Sequence, residues 1–175
     1  MLLESESLFE ETIANEDNFE IKLESKFYKY KNGGDKNTIT MKIILVDDEF
    51  LIRNSVRRVI TKHCESLKEN IDLTIIDAND GIECLIALYI ANKNQIGITT
   101  IISDENMAYM NGSASSKIIQ DVIINGKFED IPMFISTAVT NNDYKGNYSK
   151  MVKQIFPKPI DKRCIKDIFK VCKQI

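Results

Sequence analysis

The sequence predicts an α/β domain: one five-stranded parallel sheet with helices on both faces. From Met41 onward short apolar runs alternate with segments of helical period, and several of those runs end in acids or hydroxyls. The composition, 43% hydrophobic and 28% charged, is that of an ordinary globular protein. Strict strand–helix alternation implies parallel pairing, because parallel neighbours must be joined by crossover connections.

Residues 43–46 are an apolar run, as expected of a strand buried on both faces. Ile52, Val56, Val59 and Ile60 then recur at helical spacing, with Arg53, Arg57 and Arg58 off that stripe. Residues 73–76 read as the second strand, and Ile82, Leu85, Ile86 and Tyr89 mark the second helix. The third strand is expected over residues 98–102 and the third helix over 114–124. Residues 133–135 form the fourth strand, entered through Pro132, where a missing N–H is tolerated. A fourth helix is expected within residues 142–154, although Gly146 interrupts a thin apolar stripe. Residues 155–156 make a short fifth strand, and Ile165, Ile168, Phe169 and Cys172 are the apolar face of a last helix. Right-handed crossovers leave few topologies, and the flavodoxin-like strand order 2-1-3-4-5 is the candidate.

Residues 1–40 differ from this domain, which occupies residues 41–175. The first twenty carry seven acids and no Lys or Arg; a basic, aromatic patch follows, with Phe27, Tyr28 and Tyr30 among Lys22, Lys26, Lys29 and Lys31. Too few apolar residues are present to fold a core, so the segment is expected to be a flexible or partly helical acidic extension. A turn-rich linker closes it at residues 32–40.

A net charge of -3 and a pI near 5.3 give no basic field for nucleic acid. No apolar run reaches the ~18 residues of a membrane span, and the N-terminus lacks the basic and apolar regions of a signal peptide. Cys64, Cys84, Cys164 and Cys172 have no zinc-type spacing and read as reduced thiols, placing the chain in the cytoplasm or nucleus.

In an open parallel sheet, ligands bind beyond the carboxyl ends of the strands. Here those ends carry Asp47, Asp48 and Glu49 after strand one, and Asp104 after strand three. Ser136, Thr137 and Ala138 follow strand four, and Lys158 and Pro159 follow strand five. Carboxylates gathered so closely need a proton or a cation to neutralise them. Hard oxygen ligands suit Mg²⁺, which typically takes one or two carboxylates plus phosphate oxygens. A carboxylate beside that ion can attack a phosphoryl group, with Lys and Thr stabilising its oxygens. The pattern points to an aspartyl-phosphate site.

The strings IILVDDEFLIR, IISDENMAYMNG, IPMFISTA and FPKPI resemble, in order and spacing, the signature segments of response-regulator receiver domains, over Lys42 to the C-terminus. The resemblance implies a two-component phosphorelay function, with Asp104 accepting a phosphoryl group from a histidine kinase or a histidine-phosphotransfer protein. It implies that Asp48 and Asp104 bind Mg²⁺ directly, that Asp47 acts in the same cluster through water, and that Asn106 offers its backbone carbonyl. Lys158 is then expected to pair with the acceptor and Thr137 to bond a phosphoryl oxygen, with Ala138 leaving space beside it. Gly112 matches the family's loop glycine, and a cis Lys158–Pro159 bond is the family's habit.

Two positions depart from that pattern. Ala108 stands where the family usually has Pro, which loosens a turn and removes no ligand. Ile155 stands at the usual switch aromatic, with Phe156 beside it, and an aliphatic side chain there cannot make the hydroxyl contact of the usual coupling to the output surface. The resemblance also leaves a second class open, a receiver-like scaffold that has lost phosphotransfer. A phosphohydrolase would want a DxD motif, where this chain has DDE. No output domain is expected after the last helix, so the chain is either a stand-alone receiver or a piece of a hybrid kinase. His63 is expected to be a surface or capping residue, and Arg53, Arg57 and Arg58 to be a solvated helix face or a donor-docking surface. Glu49 reads equally as a metal helper or as an exposed helix-start acid.

Overall fold

The computed structural model describes residues 27–32, 38–124, 131–138 and 148–172. Six strands and four helices are present among them: β1 (Phe27–Asn32), β2 (Ile39–Val46), α1 (Phe50–Glu65), β3 (Ile71–Ala78), α2 (Gly81–Lys93), β4 (Thr100–Asp104), α3 (Gly112–Ile124), β5 (Met133–Thr137), β6 (Val152–Pro157) and α4 (Lys162–Cys172). They form one sheet in the order β1-β3-β2-β4-β5-β6. The five strands β3-β2-β4-β5-β6 are parallel, in the flavodoxin-like arrangement.

Side chains alternate between the two faces of the sheet, and this period of two builds two cores. Ile43 and Leu45 of β2 pack on one face with Val56 and Ile60 of α1 and Ile165, Ile168 and Phe169 of α4. Ile44 and Val46 pack on the other with Cys84, Ala87 and Leu88 of α2 and Ile119 of α3. Every residue of β4 and β5 is buried, which is why those segments read as continuous runs without a polar face.

The expected five-stranded sheet is therefore corrected to six. The added strand, β1, runs antiparallel to β3 from Phe27 opposite Ile76 to Asn32 opposite Ile71. It lies in the segment expected to be a flexible extension. Residues 27–32 alternate in exposure, with Lys29 and Lys31 exposed and Tyr28 and Tyr30 packed against the core shared with α1. The described part of the aromatic, basic patch, from Phe27 on, is thus an amphipathic edge strand. Exposed lysines on such a strand discourage pairing with other chains. Asn32 Oδ1 accepts the Ile71 N–H at 2.6 Å, and the Arg57 guanidinium lies over the Tyr28 ring, 5.4 Å from its centroid. Tyr28→Ala is expected to lower unfolding free energy by about 1–2 kcal/mol, from half-buried ring area and the cation–π contact. Urea denaturation measures it, and an unchanged midpoint would mean that β1 contributes nothing to the folded unit.

The expected fourth helix lies outside the described residues over 142–147. Its last part is corrected, because Val152–Pro157 is strand. β6 pairs with β5 through a register shift after Met133, which places Gln154 opposite Phe134. His63 is buried, edge-on to Phe169 with centroids 4.9 Å apart, and not at the surface. The other residues of the extension, and residues 33–37 of the linker, lie outside the described residues.

Candidate phosphoryl-transfer site

The carboxyl ends of β2, β4, β5 and β6 converge on one edge of the sheet. Asp47 follows β2, and its N–H continues the ladder to the Ala78 carbonyl at 3.2 Å. Asp104 ends β4 opposite Ser136 of β5. Both acids are almost fully buried. Lys158, just past β6, is fixed by its backbone N–H to the Thr137 carbonyl (2.8 Å), and its peptide bond to Pro159 is cis. Its Nζ sits between the two acids, 2.9 Å from Asp47 Oδ2 and 2.8 Å from Asp104 Oδ2.

The two carboxylates are held differently. Asp47 has a donor on each oxygen, Lys158 on Oδ2 and the Glu49 N–H on Oδ1 at 2.9 Å. Asp104 Oδ1 is buried and meets no hydrogen-bond donor. Burial pushes the Asp104 carboxyl above the usual range, Lys158 opposes this, and the charge of Asp47 adds to it. The Asn106 amide pulls more weakly downward without making a well-formed bond to Oδ1. Burial works to lower the Lys158 ammonium, but the bonds to Asp104 and Asp47 outweigh it and leave the group above its ordinary value.

Repulsion among the acids is thus the lesser reason for the raised Asp104 carboxyl; loss of water is the greater. With a raised folded value, Asp104 costs nothing below the unfolded carboxylate range. Its penalty grows as pH rises through the folded value. Asp104→Asn is therefore expected to raise the neutral-pH, metal-free melting temperature by about 2–4 °C, the effect of ~1 kcal/mol in a domain of this size. Asp47→Asn should lower it, because both Asp47 oxygens already accept hydrogen bonds. Melts of the two variants beside wild type decide it, and a higher melting Asp47→Asn would show that repulsion dominates.

Asp48 and Glu49 are exposed, and one carboxylate oxygen from each of Asp47, Asp48 and Glu49 lies within 4.8 Å of the others. This cluster, with the unpartnered oxygen of Asp104, is a donor set that suits a hard divalent cation. Glu49 also supplies the carbonyl that accepts the first α1 bonds from Ile52 and Arg53, without a side-chain cap. Thr137 is buried at the end of β5, with its carbonyl accepting from Lys158, whereas Asn106 and Ala138 are exposed. Gly112 is required by space, since a Cβ there would stand 2.5 Å from the Asp104 carbonyl oxygen and 2.8 Å from Ile135.

Two of the three arginines of α1, Arg53 and Arg57, are not part of a solvated face. Arg53 is buried and donates to the Asp47 carbonyl, while Arg57 is bonded to Asp77 at the end of β3. Of the three, only Arg58 is exposed. Ile155 is 40% exposed on β6, and Phe156 turns to the opposite side, stacked on Phe134 with centroids 6.0 Å apart. Phe156 is therefore a core residue and does not take the place of an outward-facing aromatic.

No protein-family model matches the chain, and no curated protein sequence matches it. Solved structures do. A two-component response regulator from Legionella pneumophila is 27% identical, with a TM-score of 0.61 over 77% of this chain and 99% of that one. One from Cytophaga hutchinsonii is 16% identical, with a TM-score of 0.63 over 79% and 99%. A response regulator receiver protein from Pseudomonas putida is 15% identical, with a TM-score of 0.58 over 76% and 98%. The chain resembles response-regulator receiver domains over most of its length and has their fold.

Proposed function

We propose that this chain is a phosphoacceptor in a two-component phosphorelay, taking a phosphoryl group from a phosphohistidine donor onto Asp104. The observation that carries the proposal is Asp104 itself, a buried carboxylate with one oxygen anchored by Lys158 and the other without a donor. In the transfer, Asp104 Oδ1 attacks phosphorus as the P–N bond to the donor imidazole breaks, and the bonding pair leaves with that nitrogen. Lys158 starts on the carboxylate and ends on a phosphoryl oxygen, while the Thr137 hydroxyl donates to another. Asp48, Asp104 and the Asn106 carbonyl would hold Mg²⁺, with Asp47 acting through water; when bound, the ion offsets charge on the phosphoryl oxygens. The protein is its own substrate, and hydrolysis of the acyl phosphate returns it to the start. Its partner is then a histidine kinase or a histidine-phosphotransfer protein. No described helix is long and apolar enough to cross a membrane. The phosphorelay role places this chemistry in the cytoplasm; the described cysteines are free thiols, and burial pushes Cys64 to about 11 and Cys84 to about 12.

Incubation with a small phosphodonor and Mg²⁺ tests the proposal. A hydroxylamine-sensitive phosphoryl group on the peptide containing Asp104 is expected. Absence of label from a folded, Mg²⁺-saturated protein would favour the receiver-like scaffold instead. Mg²⁺ itself should bind at about millimolar strength, because the ion keeps several waters. Asp48→Ala should weaken it more than Glu49→Ala, and calorimetric titration showing equal losses would reassign the metal-facing acid.

A further inference from the structure

The residue after the candidate acceptor, Glu105, is a fully buried acid that the phosphoryl-transfer chemistry does not use. Its backbone N–H donates to the Ser136 carbonyl at 2.9 Å, and its own carbonyl accepts from Gly112 N–H at 3.2 Å. Its side-chain Oε2 accepts the Ser113 N–H at 2.9 Å. The first turn of α3 thereby loses its unpaired donors. Glu105 takes those of Gly112 and Ser113, and Asn111 Oδ1 takes that of Ala114 at 2.8 Å. The loop from Glu105 to Gly112 is closed at both ends on this one residue. A further tie runs from its Met110 carbonyl to the Gly81 N–H at 3.0 Å.

Asn106, whose carbonyl is the proposed metal ligand, follows immediately. Glu105 is pinned at its N–H, its carbonyl and its side chain, so little freedom is left in where the next peptide group points. A side-chain oxygen acceptor at a helix N-terminus satisfies an N–H that has no partner within the helix. A short or apolar side chain would free the Ser113 N–H and the loop together. We infer that Glu105 is a positioning residue: by clamping the β4–α3 loop to the first turn of α3, it sets the Asn106 carbonyl for the cation. The inference rests on the proposed Mg²⁺ site, and it adds a residue that touches neither the cation nor the phosphoryl group.

The test is an amide NMR titration of the full chain with Mg²⁺, following the resonances of Asn106 and Gly112, with the far resonances of α2 reporting the fold. Wild type must first show saturable shifts at Asn106; if it does not, the metal site itself fails and not the clamp. Given that, Glu105→Ala is expected to weaken Mg²⁺ about tenfold, the usual scale for a residue behind a ligand. Glu105→Gln keeps an acceptor for Ser113 and should stay within about threefold of wild type. Ser113→Pro removes that N–H donor, together with the exposed Ser113 hydroxyl bond to Asn111 Oδ1, in the first helical turn where proline is tolerated, and should behave like Glu105→Ala. It also keeps the test open should Glu105→Ala not fold. Wild-type affinity in a folded Glu105→Ala or Ser113→Pro overturns the inference. So does a Glu105→Gln as weak as Glu105→Ala, since the negative charge, and not the clamp, would then be the cause.

Discussion

Asp104→Asn is expected to bring acid-labile, hydroxylamine-sensitive phosphorylation down to background, a loss of at least about a thousand-fold, with the fold intact. The substitution replaces the attacking oxygen pair by an amide of nearly the same volume, so packing around β4 is preserved while the nucleophile is lost. Removing a nucleophile from a preorganised site commonly costs more than any neighbouring change. Asp104 has no described rival here: Asp47 is bonded at both oxygens, Asp48 and Glu49 are exposed, and Glu105 is turned to the Ser113 amide. Mass spectrometry of the labelled variant is the measurement. Undiminished label on it, at any of these acids, would remove Asp104 as acceptor.

Strands β2, β4 and β5 were legible because their apolar runs are buried on both faces and end in residues that break the run, whereas β3 keeps a partly exposed face and β6 is mostly exposed. Asp47, Asp104, Thr137 and Lys158 stood out for the same reason: strand ends in a parallel sheet share one edge, so charged residues there must meet. Strand β1 was not legible. Its sequence, Phe27–Asn32, is a half-polar stripe beside a strongly acidic segment, and it becomes a strand by pairing with β3, which lies far away in sequence, Asn32 standing opposite Ile71 and Phe27 opposite Ile76. Local composition carries no record of that partner. Glu105 was hidden too, because a buried acid reads as one more carboxylate in an acidic motif until the Ser113 amide is seen opposite it. Arg53 and Arg57 fell off the apolar stripe and so read as solvated. Their stems lie alongside the core while their guanidinium groups reach back to Asp47 and Asp77, a use of long side chains that periodicity cannot separate from exposure. The short β6 was underestimated at its start, where the register shift opposite Met133 breaks the alternation.

Lys158→Met should produce the largest loss of stability of any single change at the site. Its ammonium is the one described cation within 4.0 Å of either carboxylate group, Arg53 reaching only the Asp47 backbone carbonyl, and its side chain is only 20% exposed, so solvent replaces little of what it supplies. Methionine keeps much of the stem's volume, which confines the effect to charge and hydrogen bonding. Breaking a buried pair by removing one partner costs about 3 kcal/mol or more, because the remaining charge is left in a poor dielectric. At neutral pH that corresponds to a melting temperature lower by roughly 6–12 °C. The pH dependence follows in sign. The Lys158 value is raised in the fold, so its stabilisation is complete below its ordinary value of 10.5 and is lost only as pH rises through the higher folded value. The wild-type pair therefore supports the fold throughout the neutral range. Without Lys158 the Asp104 carboxyl, already pushed up by burial, loses its main downward pull and rises further. The variant's deficit should then shrink as pH falls and Asp104 takes up its proton, and be greatest near neutrality. Combining Lys158→Met with Asp104→Asn removes one of the two stranded charges and should recover more of the lost melting temperature than Asp104→Asn adds to wild type on its own, a coupling that two independent sites would not show. Melts of the two single variants and the double variant, at neutral pH and near pH 4 without metal, measure it. A Lys158→Met protein melting within about 2 °C of wild type at neutral pH, or a double variant no more stable than Lys158→Met, would mean that water and not Lys158 neutralises these acids.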